Sequence, residues 1–104
     1  MTTRENEVTH RFARITTNDD GSKGIGRGVR LDAPMFEGQK EAASLAKLFD
    51  CDVAHEVYND EQRRWEYLST YHPDGTNTDS SGERRRFTGD PVRPWAKIEE
   101  GGER

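Results

Sequence analysis

The sequence FEGQKEAASLAKLF (Phe36–Phe49) is followed directly by CDVAHEVY (Cys51–Tyr58) and RRWEYLSTY (Arg63–Tyr71). The first stretch has the periodicity of an amphipathic helix. Its apolar stripe consists of Ala42, Leu45, Ala46 and Phe49. The other two stretches alternate with a period of two and are rich in β-branched and aromatic residues, which is typical of strands. A helix followed by a two-stranded hairpin therefore decides the fold.

Two starts of the helix fit the sequence. Asp32 can cap it, with Pro34 tolerated in the first turn. Alternatively Gly38 is the N-cap and Glu41 is the third residue of a weakened capping box. We favour the second start, and so a helix over residues 38–49, because glycine inside a helix costs about 1 kcal/mol relative to alanine.

The register of the hairpin decides which side chains face the helix. A two-residue loop places Val57 beside Arg64, whereas a three- or five-residue loop places Val57 opposite Trp65. Burial favours the odd loop, with Val57 and Trp65 under the helix. Trp65, Tyr67 and Tyr71 are then a core face rather than a stacking platform for single-stranded nucleic acid. Of these three aromatic residues, Tyr71 is predicted to be the most exposed.

Two further strands are predicted before the helix. Residues 8–17 are rich in β-branched and aromatic residues, but their imperfect alternation indicates either a bulge or cover on both faces. Residues 23–31 follow a turn, and glycines on one face weaken this strand. The predicted fold is α+β: a small two-layer domain in the order β-β-α-β-β, with an antiparallel sheet of three to four strands and one helix on one face.

The composition changes after residue 72, where a run of Asp, Gly, Thr, Asn and Ser begins. We predict a flexible N-terminus at 1–7, the α+β domain at 8–72, and a flexible, low-complexity C-terminal tail at 73–104 that is extended or disordered. Within this tail, residues 87–98 carry isolated large apolar side chains. They can dock back on the sheet as an edge strand, or form a short motif for another molecule.

Charge and cysteine content limit the functional classes. The net charge is −4, and residues 32–71 carry four Lys or Arg against nine Asp or Glu, which argues against general phosphate-backbone binding by this half. Cys51 is the only cysteine, which excludes an internal disulfide and fits a reducing compartment. Residues 1–7 lack the apolar core of a signal peptide, and no apolar run has the length of a membrane span. We therefore expect a cytoplasmic protein without membrane partners.

No catalytic or ligand-binding motif stands out. The glycine-rich stretch 21–28 lacks the spacing of a dinucleotide or phosphate loop. Cys51 and His55 are about 13 Å apart along a strand, too far for a nucleophile–base pair. The three histidines lie in separate segments without metal-ligand spacing. We therefore expect no enzyme, metal, cofactor or small-molecule substrate, an expectation that a deep pocket with convergent polar groups would reverse.

The leading hypothesis is a non-catalytic interaction module that binds another protein, either as a homo-oligomer or as an accessory or inhibitor protein of a phage or mobile element. The candidate partner-binding residues are Tyr71, Phe87, Trp95 and Ile98. The alternative is nucleic-acid binding through the basic glycine-rich loop and an arginine cluster. Its candidate residues are Lys23, Arg27, Arg30, Arg84, Arg85 and Arg86.

Overall fold

One helix covers one face of an antiparallel sheet in the computed structural model, which describes residues 7–98. The strands are β1 (Glu7–Thr17), β2 (Lys23–Ile25), β3 (Val29–Pro34), β4 (Asp52–Asn59), β5 (Arg64–Tyr71), β6 (Thr76–Asp79), β7 (Arg84–Phe87) and β8 (Trp95–Ala96). The helix α1 (Met35–Phe49) connects β3 to β4. The strand order is β2-β1-β4-β5-β6-β7-β8, and β3 pairs with the same strand β1 as β2 does. The α+β class with one helix is confirmed, but the sheet has eight strands rather than three or four.

The additional strands have two origins. The predicted strand 23–31 is split around Gly26 and Gly28 into β2 and β3, which pair with successive parts of β1. After Tyr71 the sheet continues through β6, β7 and β8 as far as Ala96, inside the interval predicted to be a flexible tail. Residues 1–6 and 99–104 of the two predicted flexible ends lie outside the described residues.

The polar stretch after Tyr71 forms tight turns instead of a linker. Asp74 accepts hydrogen bonds from the backbone N–H and the hydroxyl of Thr76, and Asp79 accepts the equivalent pair from Ser81. Gly75 and Gly82 follow with φ of 90° and 93°, a region that glycine occupies without steric cost. Asp, Ser, Thr and Gly are common both in linkers and in turns, so composition alone did not distinguish the two.

The helix begins at Met35, with Pro34 in the N-cap position, so the predicted start at Gly38 is wrong. Gly38 therefore lies inside the helix, where it is buried because the imidazole of His10 packs directly against its backbone. A Cβ built on Gly38 would lie 2.1 Å from the Cε1 atom of His10. Close approach of the ring therefore outweighs the cost of about 1 kcal/mol for a glycine in a helix. The predicted stripe is confirmed at Ala42 and Ala46, which are both fully buried.

The hairpin between β4 and β5 has neither predicted register. Asn59 pairs with Arg64 across a four-residue loop, and Val57 lies opposite Glu66. The register then shifts, because His55 pairs with Ser69 while Glu56 pairs with Tyr67, which leaves Leu68 as the extra residue of a bulge. The bulge changes which face successive residues of β5 occupy, and the sequence pattern alone does not reveal it.

Two expectations about the aromatic residues of β5 are consequently wrong. Tyr71 is on the helix face and is 1% exposed, whereas Tyr67 is 44% exposed. Trp65 pairs with Tyr58 on the open face, where the Arg11 guanidinium lies 4.1 Å from the centre of its ring. Arg11 also pairs with Glu56 at 2.7 Å. Trp65 is therefore covered by arginine rather than by the helix.

The core lies between the helix and the sheet. Its buried members are Phe12, Ala42, Ala46, Val53 and Tyr71. Phe87 and Trp95 pack against this cluster, with their ring centres 5.1 Å apart. Of the two alternatives for residues 87–98, docking on the sheet is therefore the observed one for these side chains. No helix among residues 7–98 is both long and apolar enough to cross a membrane.

Candidate functional site

The last turn of the helix and the edge strand β3 leave an apolar groove between them, which we name the edge groove. It encloses about 110 Å³ and is lined by Phe12, Arg14, Arg27, Val29, Leu45, Phe49 and Val53. Val29 pairs with Phe12, so both side chains point to the helix face of the sheet. The floor of the groove is therefore continuous with the hydrophobic core.

Apolar side chains at the rim of the edge groove are open to solvent. Val29 is 61% exposed and Phe49 is 45% exposed. Leu48, in the same turn of the helix as Phe49, is 74% exposed. Single exposed apolar residues are common on protein surfaces, but a cluster around a concave apolar site is typical of interaction surfaces.

The backbone beside the groove is also available. β3 pairs with β1 through six residue pairs, and within residues 7–98 no strand pairs with its other edge. Gly26 and Gly28 separate β3 from β2, so the edge consists of two short strands with an interruption. An unpaired edge presents N–H and C=O groups to which another strand can hydrogen-bond.

Positive charge surrounds the groove. The Arg14 guanidinium lies 4.5 Å from the centre of the Phe49 ring, and Arg27 is a second lining residue. Lys23 on β2 is exposed at the same edge of the sheet, whereas Arg30 on β3 projects from the opposite face, where its guanidinium lies 5.4 Å from the centre of the Trp65 ring. No ion pair within residues 7–98 involves any of these four cations. This edge is therefore basic although the chain as a whole is acidic.

The six cations predicted to bind nucleic acid do not form one surface. Lys23, Arg27 and Arg30 lie at the β2–β3 edge, whereas the arginine cluster is on β7. Five strand spacings separate β3 from β7, which is about 24 Å along the sheet. Arg84 and Arg86 project from the face opposite to that of Arg85, because β7 alternates.

Two arginines of that cluster already have carboxylate partners. Arg84 pairs with Asp74 at 3.0 Å, and Arg85 pairs with Asp79 at 3.1 Å. The three consecutive arginines therefore do not act as one cationic patch.

The predicted partner-binding residues are mostly internal. Tyr71 has no accessible surface to offer a partner, since it is 1% exposed. Phe87 and Trp95 are half-buried against the core. Ile98, the last described residue, is 37% exposed. These four residues therefore do not make up the edge groove, which lies at the other end of the sheet.

A buried histidine pair was missed, because His10 and His55 are 45 residues apart. Both are 0% exposed, and the Nδ1 atom of His10 is 2.9 Å from the Nε2 atom of His55. The Nε2 atom of His10 lies 3.0 Å from the carbonyl oxygen of Ala33 and must donate to it. When His10 is neutral, its Nδ1 atom is therefore an acceptor, and His55 donates from Nε2. The Nδ1 atom of His55 has no hydrogen-bond partner within residues 7–98.

Burial is the main cause that lowers the pKa of His55 from 6.5 to about 4, and repulsion between the two rings when both are protonated adds to it. The neutral form of this imidazole is therefore the stable one in the fold at pH 7. Among residues 7–98, no three His, Cys, Asp or Glu side chains are grouped closely enough to hold a metal ion.

Sequence reasoning identified Arg27 and Lys23 but not the apolar half of the groove. The signal was present in the exposed apolar end of the helix stripe, Leu48 and Phe49. It could not be interpreted, because the sequence does not tell which strand becomes the edge beside the helix. Comparisons with protein-family models, curated proteins and solved structures found no match.

Proposed function

We propose that the protein is a non-catalytic interaction module whose edge groove receives an extended, apolar and acidic segment of another protein. The observation that carries this proposal is the unpaired edge of β3 directly beside a solvent-exposed apolar groove. Cys51, the only cysteine, is a free thiol, which is consistent with a protein that functions in a reducing compartment such as the cytoplasm.

Strand addition explains why backbone and groove lie together. A peptide that pairs with β3 gains main-chain hydrogen bonds, and its alternate side chains point to the helix side of the sheet. Next to Val29, such a side chain would lie over Leu45 and Phe49. Covering exposed apolar surface contributes roughly 25 cal/mol per Å². Backbone pairing then supplies affinity, and the groove selects an apolar residue.

Charge defines the rest of the partner. Arg14 and Arg27 flank the groove without ion-pair partners among the described residues. Carboxylates beside the apolar residue of the peptide would pair with them, and the positive edge would accelerate encounter with an acidic segment. An apolar lining does not complement phosphate, which favours an acidic peptide over nucleic acid at this edge.

A selection from a library of random displayed peptides tests the proposal with the full-length protein as bait. We expect enriched peptides to combine an apolar residue with Asp or Glu, and their binding to shift the backbone amide NMR signals of β3. Val29→Asp should abolish binding, because it places a carboxylate in the groove and repels an acidic peptide. Val92→Asp is the matched control, since Val92 is 85% exposed and is remote in sequence from the groove.

Three results would contradict the proposal. The first is enrichment of peptides that bind Val29→Asp as well as wild type. The second is concentration-dependent dimerisation that Val29→Asp prevents, which would make a second copy of this chain the occupant. The third is salt-sensitive retention on single-stranded DNA or RNA that is lost on replacing Arg27 and Arg30, which would support the nucleic-acid alternative.

A further inference from the structure

A second cleft lies on the side of the helix away from the edge groove, and we name it the lysine cleft. One of its walls is the end of β7 and the start of the segment that leads to β8. The helix residues of the other wall are three or four positions apart, so they form one stripe along α1. The lysine cleft encloses about 250 Å³ and is lined by Lys40, Ala43, Ser44, Lys47, Phe87, Thr88 and Gly89.

Hydrogen bonds hold the wall that faces the helix. The Phe87 N–H donates to the carbonyl oxygen of Gly75 at 2.9 Å, and the Thr88 N–H donates to the carbonyl oxygen of Pro94 at 2.8 Å. The Thr88 hydroxyl donates to the carbonyl oxygen of Arg93. This wall is therefore already in place before a ligand binds, and little conformational entropy is lost in ordering it.

The polar groups of the lysine cleft are accessible. Lys40, Ser44, Lys47 and Gly89 are all exposed, so a ligand can reach them. Within residues 7–98, Lys47 forms no ion pair, and Lys40 has one with Glu37 at a long distance of 3.9 Å. The Gly89 N–H makes no backbone hydrogen bond in the same part of the chain. The cleft therefore offers ammonium, hydroxyl and N–H donors to a ligand.

The charge of the lysine cleft selects an anion. No Asp or Glu is among its lining residues, although the chain as a whole is acidic. Lys40 and Lys47 are about 10 Å apart along the helix axis, with Ser44 between them. A phosphate monoester carries a charge of about −1.5 to −2 at pH 7 and three acceptor oxygens, so it can pair with both ammonium groups and the hydroxyl at once. A carboxylate has one charge and two oxygens, and it fits this set of donors less well.

We propose that the lysine cleft binds a phosphate monoester that carries a small apolar group. Lys40 and Lys47 pair with the phosphate, and the Ser44 hydroxyl donates to one of its oxygens. The apolar group of the ester lies against Ala43 and the half-buried ring of Phe87. This site is separate from the edge groove and does not depend on the function proposed for it.

NMR titration of the ¹⁵N-labelled full-length protein tests this proposal. Phenyl phosphate should shift the backbone amide signals of Ser44 and Gly89, inorganic phosphate should bind more weakly, and phenol should shift neither signal. Lys47→Met should weaken the binding of phenyl phosphate about tenfold, because a charge-assisted hydrogen bond is lost. Replacing Lys40 by Met as well should abolish binding. Both lysines are exposed, so these variants should fold like wild type.

A free phosphate ester and a phosphorylated side chain of another protein present the same group to the lysine cleft. A short peptide that contains phosphotyrosine separates these two sources. Tighter binding of the peptide than of phenyl phosphate supports the proposal with a phosphorylated protein as the source, because residues beside the phosphotyrosine then add contacts. Equal or weaker binding of the peptide supports it with a small phosphate ester as the source.

Control variants separate this site from general attraction of anions. Lys23→Met removes an exposed lysine of β2, at the other end of the sheet, and should leave the binding of phenyl phosphate unchanged. Val29→Asp should also leave it unchanged, so that failure of the edge-groove proposal and failure of this one are distinguishable. The proposal is overturned if phenyl phosphate shifts neither signal at millimolar concentration, if Lys47→Met binds as wild type, if Lys23→Met loses as much affinity as Lys47→Met, or if phenol shifts the same signals.

Discussion

The two ends of the helix–sheet interface differ in the polarity of the side chains that lie between helix and sheet. At the C-terminal end of the helix, the edge groove is apolar to its floor, with Phe12 and Val53 beneath Leu45 and Phe49. At the N-terminal end, a polar cavity is lined by side chains such as His55, Asn77 and Arg85, which carry buried donors and acceptors without partners within residues 7–98. The first exposes apolar groups that normally lie inside, and the second buries polar groups that normally face water.

This difference indicates which end of the interface lowers the free energy of unfolding more. Exposed apolar side chains such as Val29 cost little, because they are near the state that they have in the unfolded chain. Unpaired buried polar groups cost roughly 1–3 kcal/mol each. The polar cavity is therefore the more expensive feature, and removing its polar atoms should have larger effects than altering the edge groove.

The largest effect is expected for Gly38→Ala, near the N-terminal end of the helix. The added Cβ would lie 2.1–2.4 Å from three atoms of the His10 ring, so the helix must move or the histidine pair must break. We expect a loss of about 3 kcal/mol or more, because overpacking in a rigid core is compounded by loss of buried hydrogen bonds. Urea denaturation followed by far-UV circular dichroism measures it.

Gly26→Ala is the matched control, since its nearest neighbour would be the Arg14 carbonyl oxygen at 3.6 Å, an ordinary contact. A stability change within about 0.5 kcal/mol is expected there. The double variant His10→Ala with Gly38→Ala should recover part of the loss. Equal destabilisation by both single glycine changes would show that the His10 ring does not determine the choice of Gly38.

The next effect is a loss of stability in mild acid. His55 has a pKa of about 4 in the fold against 6.5 ordinarily, so the unfolded chain binds a proton that the folded chain does not. Stability is then complete above pH 6.5 and falls as the pH drops towards 4, by at most about 3 kcal/mol. Denaturation curves between pH 7 and 4.5 measure the slope, and NMR titration of the His55 ring gives its pKa directly.

Asp74 and Asp79 do not contribute to this slope. Hydrogen bonds from Thr76 and Ser81 lower the pKa values of Asp74 and Asp79 below 3.8, so their contribution is lost only at more acidic pH. His55→Asn should remove the acid slope. A flat stability profile in the wild-type protein would mean that the buried pair is solvated or already charged.

Sequence patterns predicted the elements with local signals and missed those set by distant contacts. The alanine stripe at Ala42 and Ala46 was sufficient to locate the buried face of the helix, because helical periodicity is local. The helix start was missed because glycine is needed at position 38 for close contact with His10, a residue on β1. The bulge at Leu68 likewise depends on pairing between strands, and it moved Tyr71 to the core face while Trp65 stayed outside.

The edge groove and the polar cavity were less predictable than the fold. Arg27 could be identified as an exposed cation, but Val29 became part of a groove only because β3 is an edge strand beside the helix. Asn77 and Arg85 lie in a stretch whose composition predicted a flexible tail. Their convergence with His55 depends on the register of four strands, which no single-sequence pattern specifies.

A smaller effect is expected at Tyr71, next to the polar cavity. Its hydroxyl is buried without a hydrogen-bond partner among the described residues, and burial raises its pKa well above the usual range, offset in part by the nearby Ser69. Tyr71→Phe should raise stability by about 1 kcal/mol, because an unpaired buried donor is removed. Thermal denaturation measures this increase in stability.

Tyr67→Phe is the control, since the exposed Tyr67 hydroxyl is bonded to Thr70 and its loss should lower stability slightly. A decrease for Tyr71→Phe would imply that its hydroxyl is bonded to Ser69 or to an ordered water.

The smallest effect is expected at Val29 on the rim of the edge groove, and the same substitution at Val53 on its floor is the comparison. Val29→Thr keeps the shape and β-propensity of an edge residue that is 61% exposed, so stability should change by less than about 0.5 kcal/mol. Val53→Thr makes the same change at a floor residue that is 1% exposed and should cost roughly 1–3 kcal/mol, because a hydroxyl is buried without a partner. Both are measured by urea denaturation. A similar loss at both positions would mean that Val29 is part of the core, and the groove would then not be free to receive a partner.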